Sequence, residues 1–181
     1  MNLNWNRILN ILIVVLILVF IGKKIYLYPK HKSGEKAPDF TETKVDGQSL
    51  TLSSLQGNYV LLDFWGSWCG PCRKENKELT KLYSDFKDSD FNNASAFKIV
   101  SIALEKNKNG AIKAIQNDGL FWPDHLIFEN TFDSPVAMLY KVREIPQKYL
   151  INPDGMIVLV NPSIDELHDY LSNQVKKDGI Y

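Results

Sequence analysis

The sequence predicts an α/β fold in which helices flank a mixed central sheet. The first observation is a pair of continuous apolar runs of strand length, Tyr59–Trp65 and Phe97–Leu104, which are typical of strands covered on both faces. The second is the helical hydrophobic period that follows each run. The third is the end of the chain, where turn residues separate two short apolar segments ahead of a capped helix. Strands that alternate with helices in this way are typical of a layered α/β sandwich.

Each further element is delimited by a turn, a cap or a change of hydrophobic period. Asp46-Gly47 is a hairpin signal, and residues 152–155, Asn-Pro-Asp-Gly, form a second turn. Ser134 and Ser163 are N-cap residues, and Pro135 suits the first position of a helix. The other predicted elements are a hairpin of residues 40–44 and 49–52, helices over 73–86, 111–117, 135–140 and 164–176, and a hairpin of residues 148–151 and 156–160.

Length and charge limit what the chain can do. It has 181 residues, 45% of them apolar, which predicts one domain with a core of its own. The 21 basic and 21 acidic residues are unevenly placed, since residues 1–36 hold six Lys or Arg and one Glu. The rest of the chain therefore carries 15 basic and 20 acidic groups. An acidic body argues against a nucleic-acid-binding protein, whose affinity depends on neutralising phosphates.

Residues 8–21 form an apolar run interrupted only by Asn10, with Trp5 before it and Lys23 and Lys24 after it. As a helix the run would span roughly 21 Å, less than the ~30 Å hydrocarbon core of a bilayer. The tryptophan can lie at one interface, however, while the lysines extend to the other. We interpret the segment as a retained membrane anchor. The alternatives are a cleaved signal peptide, which lacks a small-residue cleavage pattern here, and a buried helix, which the all-round apolar character disfavours.

Three segments are expected along the chain: an N-terminal membrane anchor or signal over residues 1–28, a polar and basic tether over 29–36, and a folded domain over 37–178. The tether is rich in lysine and contains Pro and Gly, as linkers commonly do. Its lysines outnumber the positive charges before the apolar run. By the positive-inside tendency, charge alone would keep the folded body in the cytoplasm.

The chain's two cysteines, Cys69 and Cys72, directly follow a predicted buried strand and open a predicted helix. Free N–H groups at a helix N-terminus stabilise a thiolate at Cys69, and the thiolate is the form that attacks a disulfide. Cys72 lies one helical turn further on and can resolve the resulting mixed disulfide. Pro71 suits the first turn, where its missing N–H costs nothing, and Gly70 leaves the face of Cys69 unobstructed.

A zinc site is the structural alternative for this cysteine pair. A closed site normally needs four ligands, and the other candidates here are three separated histidines, His31, His125 and His168. Their spacing matches no known ligand pattern. We therefore expect no metal, with His125 in a Trp-Pro-Asp-His loop and His168 on a helix as surface or packing residues.

Residues 63–73, Asp-Phe-Trp-Gly-Ser-Trp-Cys-Gly-Pro-Cys-Arg, resemble the thioredoxin active site. Together with residues 34–40 and 46–62 they resemble the membrane-anchored thioredoxin-like oxidoreductases of the TlpA/ResA type, which are related to the peroxiredoxin-like superfamily. The resemblance covers about residues 34–175. It implies a thioredoxin fold with an N-terminal β-hairpin and a central insertion, and a domain on the periplasmic or cell-surface side of the membrane. It also implies dithiol–disulfide exchange without an organic cofactor.

The resemblance also implies a role for particular residues. Cys69 matches the nucleophile, Cys72 the resolving thiol, and Trp68 the aromatic residue beside the site. Asp63 matches the buried acid that handles the proton of the second cysteine. A carboxyl group in an apolar strand has a raised pKa and can take up a thiol proton near neutral pH. The alternative for Asp63 is a carboxylate at a strand end that binds backbone N–H groups.

Ile145-Pro146 matches the cis-proline dipeptide that lies opposite the dithiol in this family. A cis bond costs little only before proline, and an edge freed beside it can pair with an extended substrate. With Trp68, Gly70 and Pro71, these two residues make up the expected substrate-binding surface. The alternative is a trans proline that begins an edge strand.

Three residues depart from the family pattern. Lys77 stands where the family usually has a helix-kinking proline, which predicts a straighter first helix after the cysteines. Gln147 replaces the usual small hydroxyl residue after the cis-proline, a change that affects substrate choice. Glu105 resembles in place an acidic residue kept near the dithiol by some members, although the alignment slips there by one residue. A solvated loop carboxylate is the equal alternative for Glu105.

The function we expect is reduction of disulfides in exported proteins, apocytochromes among them, with electrons supplied by a membrane partner. The nearest enzymatic rival is a peroxiredoxin-like peroxide reductase, but its Pro-x-x-x-Thr-x-x-Cys pattern would need Pro and Thr where the chain has Leu62 and Gly66. A membrane-tethered binding module that uses the same groove without turnover is a third possibility.

Overall fold

The computed structural model describes residues 5–176, which divide into two compact units between Lys30 and His31. The first unit consists of helix α1, Trp5–Leu27. It is the one helix in the described part of the chain that is long and apolar enough to cross a membrane, and none of its residues is buried. The first four residues of the predicted anchor and the last two of the predicted domain lie outside the described residues.

The second unit contains a two-stranded hairpin sheet and a five-stranded mixed sheet with helices on its faces. The strands are β1 Thr41–Thr43, β2 Ser49–Thr51, β3 Tyr59–Trp65, β4 Phe97–Leu104, β5 Asp124–Phe128, β6 Gln147–Ile151 and β7 Ile157–Val160. The helices are α2 Gly70–Phe86, α3 Lys108–Asp118, α4 Pro135–Leu139 and α5 Ile164–Ser172, with 3-10 turns at Leu52–Leu55 and Thr131–Asp133. The α/β class and the N-terminal hairpin predicted from the sequence are confirmed.

The central strand of the large sheet is β3, and the strand order is β5-β4-β3-β6-β7. β4 pairs with β3 in parallel, and β5 pairs with β4 in parallel. On the other side, β6 is antiparallel to β3, and β7 is antiparallel to β6. Every residue of β3 is buried because both faces of the sheet are covered. Leu62 and Phe64 belong to the core on the face of the hairpin and α4, while Leu61 and Trp65 belong to the core beneath α2 and α5. The strand thus places its odd-numbered side chains under the helix that carries the cysteines.

Two strands, β3 and β4, have the predicted bounds, but the sequence analysis is wrong at two other places. His125 was predicted to lie in a Trp-Pro-Asp-His loop, whereas Asp124 and His125 begin β5 and both side chains are buried at the edge of the sheet. α5 ends at Ser172 instead of continuing to Lys176. Its start is as predicted, with Ser163 in a reciprocal capping box with Glu166.

Two of the three histidines of the zinc alternative contact aromatic rings. His125 stacks on Trp122 with ring centroids 5.7 Å apart, and His168 contacts Phe86 edge-on at 5.2 Å. His125 is buried, whereas His168 is exposed on α5.

Residues at the end of the predicted tether bind the edge of the sheet. The N–H of Gly34 donates to the carbonyl oxygen of Ile157 at 2.8 Å, and the N–H of Ile157 donates to that of Glu35 at the same distance. The N–H of Ala37 donates to the carbonyl oxygen of Gly155 at 2.9 Å. The backbone therefore joins the folded unit a few residues before Ala37.

Candidate active site

The two cysteines lie at the N-terminus of α2 and are joined by a disulfide. Cys69 is the N-cap residue, Pro71 occupies the first turn, and the N–H of Cys72 donates to the Cys69 sulfur at 3.3 Å. Cys69 retains 6% exposure and Cys72 only 1%. Because the sulfur of Cys69 lies where the helix presents its free N–H groups, a thiolate there would be stabilised by those groups and by the helix dipole. The arrangement can store and release two electrons.

Ile145 and Pro146 lie beside the dithiol, and the bond between them is cis, as predicted. The carbonyl oxygen of Ile145 is 3.9 Å from the sulfur of Cys69. The side chain of Ile145 also approaches Gly66, where an added Cβ would lie 3.1 Å from Ile145 Cδ1. The fold thus brings together two segments that are more than seventy residues apart in the sequence.

Trp68 is held next to the cysteines with 55% of its surface exposed. Its indole N–H donates to the carbonyl oxygen of Leu104 at 2.9 Å, and its ring meets Phe132 edge-on with centroids 6.4 Å apart. A Cβ at Gly66 would lie 2.8 Å from the Trp68 Nε1, so glycine is needed there for the indole to reach this position. The exposed ring therefore has a defined orientation beside the sulfur atoms.

Glu105 follows β4 and is buried, which rules out the solvated loop carboxylate. Its Oε1 accepts from the N–H of Ser67 at 2.5 Å, and its Oε2 accepts from the Ser67 hydroxyl at 2.9 Å. A Cβ at Gly110 of α3 would lie 2.7 Å from the Ser67 hydroxyl oxygen, so this helix approaches closely. Glu105 thereby fixes the loop that leads from β3 to Cys69. Trp68 and Phe132 line a groove of about 640 Å³ above it.

Asp63 lies in the middle of β3 on the face covered by α2. It is completely buried, and its Oδ2 has no hydrogen-bond partner among the described residues. Burial raises the pKa of Asp63 to about 7, the nearby Lys148 ammonium lowers it in part, and the Glu75 carboxylate raises it. The alternative of a strand-end carboxylate that binds backbone is therefore wrong. A carboxyl group titrating near neutral pH can exchange a proton with a thiol.

Two pairs of charged residues near the cysteines were missed by the sequence analysis. Arg73, directly after Cys72, donates through Nε and Nη2 to the buried Asp118 of α3 at 2.5 and 2.7 Å. Asn76 donates to the same carboxylate at 2.9 Å. Burial opposes ionisation of Asp118, but these hydrogen bonds hold its pKa below the ordinary value. The second pair is Lys148 and Glu75, which form an ion pair at 2.6 Å.

Neither pair has a signal in the sequence that would have revealed it. Arg73 and Asp118 are 45 residues apart, and Lys148 and Glu75 are 73 residues apart. Such pairs form only when α2 packs on α3 and on β6. Gln147, the departure next to Pro146, is also buried and donates to the Tyr149 hydroxyl.

The disulfide lies at the N-terminus of α2, the helix that follows the central strand, and opposite a cis-proline. This arrangement defines the class of thioredoxin-fold proteins with a redox-active dithiol. The AhpC/TSA family matches residues 33–160, and the chain belongs to that family. Its thiol-disulfide oxidoreductase ResA relatives include the one from Bacillus subtilis (strain 168), which is 31% identical over 157 residues, covering 85% of this chain and 79% of the relative. The ResA protein of Bacillus anthracis is 28% identical over 159 residues, covering 84% and 86%.

Solved structures agree. The thioredoxin domain of a thiol-disulfide oxidoreductase from Bacteroides vulgatus superposes with a TM-score of 0.70 at 29% identity, covering 81% of this chain and all of the other. A secreted disulfide oxidoreductase from Mycobacterium tuberculosis superposes with a TM-score of 0.60 at 25% identity, covering 74% and 95%. The chain is accordingly a thiol-disulfide oxidoreductase of the ResA kind, with the Cys-Gly-Pro-Cys motif as its redox pair.

Proposed function

We propose that the chain reduces disulfides of exported proteins by dithiol exchange at Cys69 and Cys72. The observation that carries this proposal is the place of the pair at the N-terminus of α2, with the N–H of Cys72 directed at the Cys69 sulfur. In the reduced protein that N–H and the helix dipole favour a thiolate at Cys69. The thiolate attacks the substrate disulfide, and one substrate sulfur leaves as a thiolate.

Cys72 then completes the reaction. Its sulfur attacks the mixed disulfide at Cys69, which forms the Cys69–Cys72 bond, releases the second substrate thiolate and leaves the substrate reduced by two electrons. The greater burial of Cys72 supports this order of attack. We assign Asp63 as the group that accepts the proton of the Cys72 thiol, since its carboxyl group titrates near neutral pH.

The proposed substrate-binding surface surrounds the small part of Cys69 that is accessible to solvent. Trp68 and Ile145 both lie next to Gly66, in the loop that leads to the cysteines, and Pro146 follows Ile145. Gly70 and Pro71 follow Cys69 at the start of α2, and a Cβ at Gly70 would meet no atom within 4 Å, so the helix start is unobstructed at that residue. An extended segment on either side of a substrate cysteine fits such a surface.

We further propose that residues 1–28 anchor the protein, that residues 29–36 form a tether whose last residues bind β7, and that the domain from residue 37 faces away from the cytoplasm. The apolar helix α1 supports the anchor, and the secreted M. tuberculosis relative supports an exported domain. Apocytochromes with oxidised cysteines are the substrates we favour. The electron donor would be a second membrane protein that reduces the Cys69–Cys72 disulfide after each turnover.

The test is reduction of insulin disulfides by the full chain in detergent micelles, with a chemical dithiol as electron donor. We expect turnover by the wild type and none by Cys69→Ser. A binding module would show the same slow background with both. Redox titration then fixes the direction of electron flow: the Gly-Pro dipeptide favours a midpoint near the −270 mV of thioredoxin, whereas a value of about −120 mV is typical of an oxidant and would contradict the reductant role.

A further inference from the structure

Lys148 is a buried lysine next to the redox site. Its side chain is only 4% exposed, and it lies directly opposite Asp63 in the antiparallel pairing of β3 with β6. Side chains of opposed residues project from the same face of a sheet. Lys148 and Asp63 therefore share the face that α2 covers.

The ammonium group of Lys148 is held by α2. Its Nζ donates to the Oε2 of Glu75 at 2.6 Å, and Glu75 is one helical turn beyond Cys72. The Glu75 side chain keeps 30% exposure, so the pair connects the buried face to solvent. A buried lysine is costly unless it is paired, which gives the pair a reason to persist.

The groups beneath α2 include fewer ammonium groups than carboxyl groups. Lys148 of β6 lies opposite Asp63, and the neighbour of Asp63 on β4 is the neutral Ser101. On the side of α2, Asp63 faces Glu75 and the apolar cluster that contains Cys72. His125 lies one strand beyond Ser101. One ammonium group thus serves two carboxyl groups, and it is hydrogen-bonded to only one of them. The Lys148 charge favours ionisation of Asp63, whereas the Glu75 charge opposes it.

We propose that Lys148 is a positioning residue of the exchange reaction, which binds Glu75 through its ammonium group and leaves Asp63 as the carboxyl group that exchanges a proton with Cys72. This inference rests on the proposed function. In the resolving step the Cys72 thiol gives its proton to the Asp63 carboxylate, and the Cys72 thiolate attacks the Cys69 sulfur. The bond between Cys69 and the substrate sulfur breaks, the Cys69–Cys72 bond forms, and the substrate thiolate leaves. The proton on Asp63 returns to solvent before the next turnover.

The experiment follows single turnovers of the reduced full chain in detergent micelles with 5,5′-dithiobis(2-nitrobenzoate). Attack by Cys69 releases one thionitrobenzoate, and resolution by Cys72 releases a second. Each rate is measured from about pH 5 to about pH 9, across the range in which Asp63 titrates. For Lys148→Met we expect the pH midpoint of the second release to rise by roughly one unit, because the cation that favours Asp63 ionisation is gone. The first release should change little.

Glu75→Gln should move the same midpoint in the opposite direction, since it removes a negative charge and leaves Lys148 to Asp63. Lys148→Arg should restore the wild-type midpoint. Lys44→Met is the matched control: Lys44 is similarly buried and paired with Asp46 and Asp124, so a merely structural effect of losing a buried lysine would appear there too. The expected midpoint of this control equals that of the wild type.

Two outcomes overturn the inference: midpoints that coincide for wild type, Lys148→Met and Glu75→Gln, or shifts of the same sign in both variants. Failure of the proposed function looks different. In that case the wild type itself releases no second thionitrobenzoate, or Asp63→Asn leaves the second release unchanged. If Lys148→Met does not fold, the sign of the Glu75→Gln shift decides alone.

Discussion

At Asp63 the protein keeps a carboxyl group in a place that favours its neutral form. The group lies in the fully buried strand β3, and its Oδ2 lacks a hydrogen-bond partner in the described part of the chain. Burial of an ionised carboxylate without such partners is unfavourable, and that cost raises its pKa to about 7. A carboxylate at this position destabilises the folded protein above neutral pH, but a carboxyl group with this pKa is well suited to proton exchange with a thiol.

This pKa predicts a specific pH dependence of stability. The pKa of Asp63 rises from 3.8 in the unfolded chain to about 7 in the folded one. Its contribution to stability is therefore fully present below pH 3.8 and is lost as pH rises to about 7. About three pKa units correspond to a loss on the order of 4 kcal/mol.

The measurement is urea unfolding of the disulfide form of wild type and Asp63→Asn, followed by tryptophan fluorescence near pH 4 and near pH 8. We expect the variant to gain stability relative to wild type at the higher pH, by several kcal/mol compared with the lower. A difference between the two proteins that does not vary with pH would show that Asp63 is ionised in the folded state at both values.

At the scale of elements, the site is built where the ends of three segments meet: the C-terminal end of β3, the C-terminal end of β4 and the N-terminal end of α2. Parallel β3 and β4 end at the same edge of the sheet, which places Glu105 beside the loop from Ser67 to Cys69. The carboxylate binds both the N–H and the hydroxyl of Ser67. It thereby ties the cysteine loop to the end of a neighbouring strand.

Removal of that tie should cost stability and activity together. Glu105→Ala leaves the Ser67 N–H and hydroxyl without their acceptor, and we expect unfolding free energy to fall by about 2–3 kcal/mol and insulin turnover to fall with it. Glu105→Gln, which can still bind Ser67, should lose less than half as much. The control is Glu129→Ala, whose carboxylate accepts one bond from the N–H of Lys108 at an exposed place. Equal losses in Glu105→Ala and Glu129→Ala would show that Glu105 has no special part in the loop.

Some elements could be predicted from the sequence and others could not, for a physical reason. β3 and β4 are long, continuous apolar runs, and buried strands require them. β5 opens with Asp124 and His125, whose burial depends on partners from elsewhere: Asp124 pairs with Lys44, and His125 stacks on Trp122. The local sequence therefore does not identify this strand, because its burial depends on residues from other parts of the chain.

At the scale of the whole molecule, the chain divides into two units, one with the apolar helix α1 and one that is the redox domain. Every residue assigned to the redox site lies in the second unit, beyond Lys30. The helix α1 is apolar on all sides, and none of its residues is buried against the rest of the protein. Both properties are typical of a helix that is surrounded by lipid.

We therefore expect a chain that lacks residues 1–28 to leave the membrane fraction and to keep its insulin reductase activity. The full chain should remain with membranes after washing with high salt, since apolar burial in lipid does not depend on ionic strength. The truncated chain with Cys69→Ser is the control for turnover. Recovery of the full chain in the soluble fraction would contradict the anchor, and loss of turnover on truncation would contradict the independence of the redox domain.

The amino-acid sequence alone determines the reacting atoms and their local setting: two thiols one turn apart, a helix that begins at them and an apolar strand before them. These are properties of neighbouring residues, so hydrophobic period, capping and turn chemistry reveal them. Only the tertiary structure decides the charges around the thiols, namely Lys148 with Glu75, Arg73 with Asp118, and Glu105 with Ser67. Each of these pairs joins distant parts of the chain, and its strength depends on burial that arises when helices pack on the sheet.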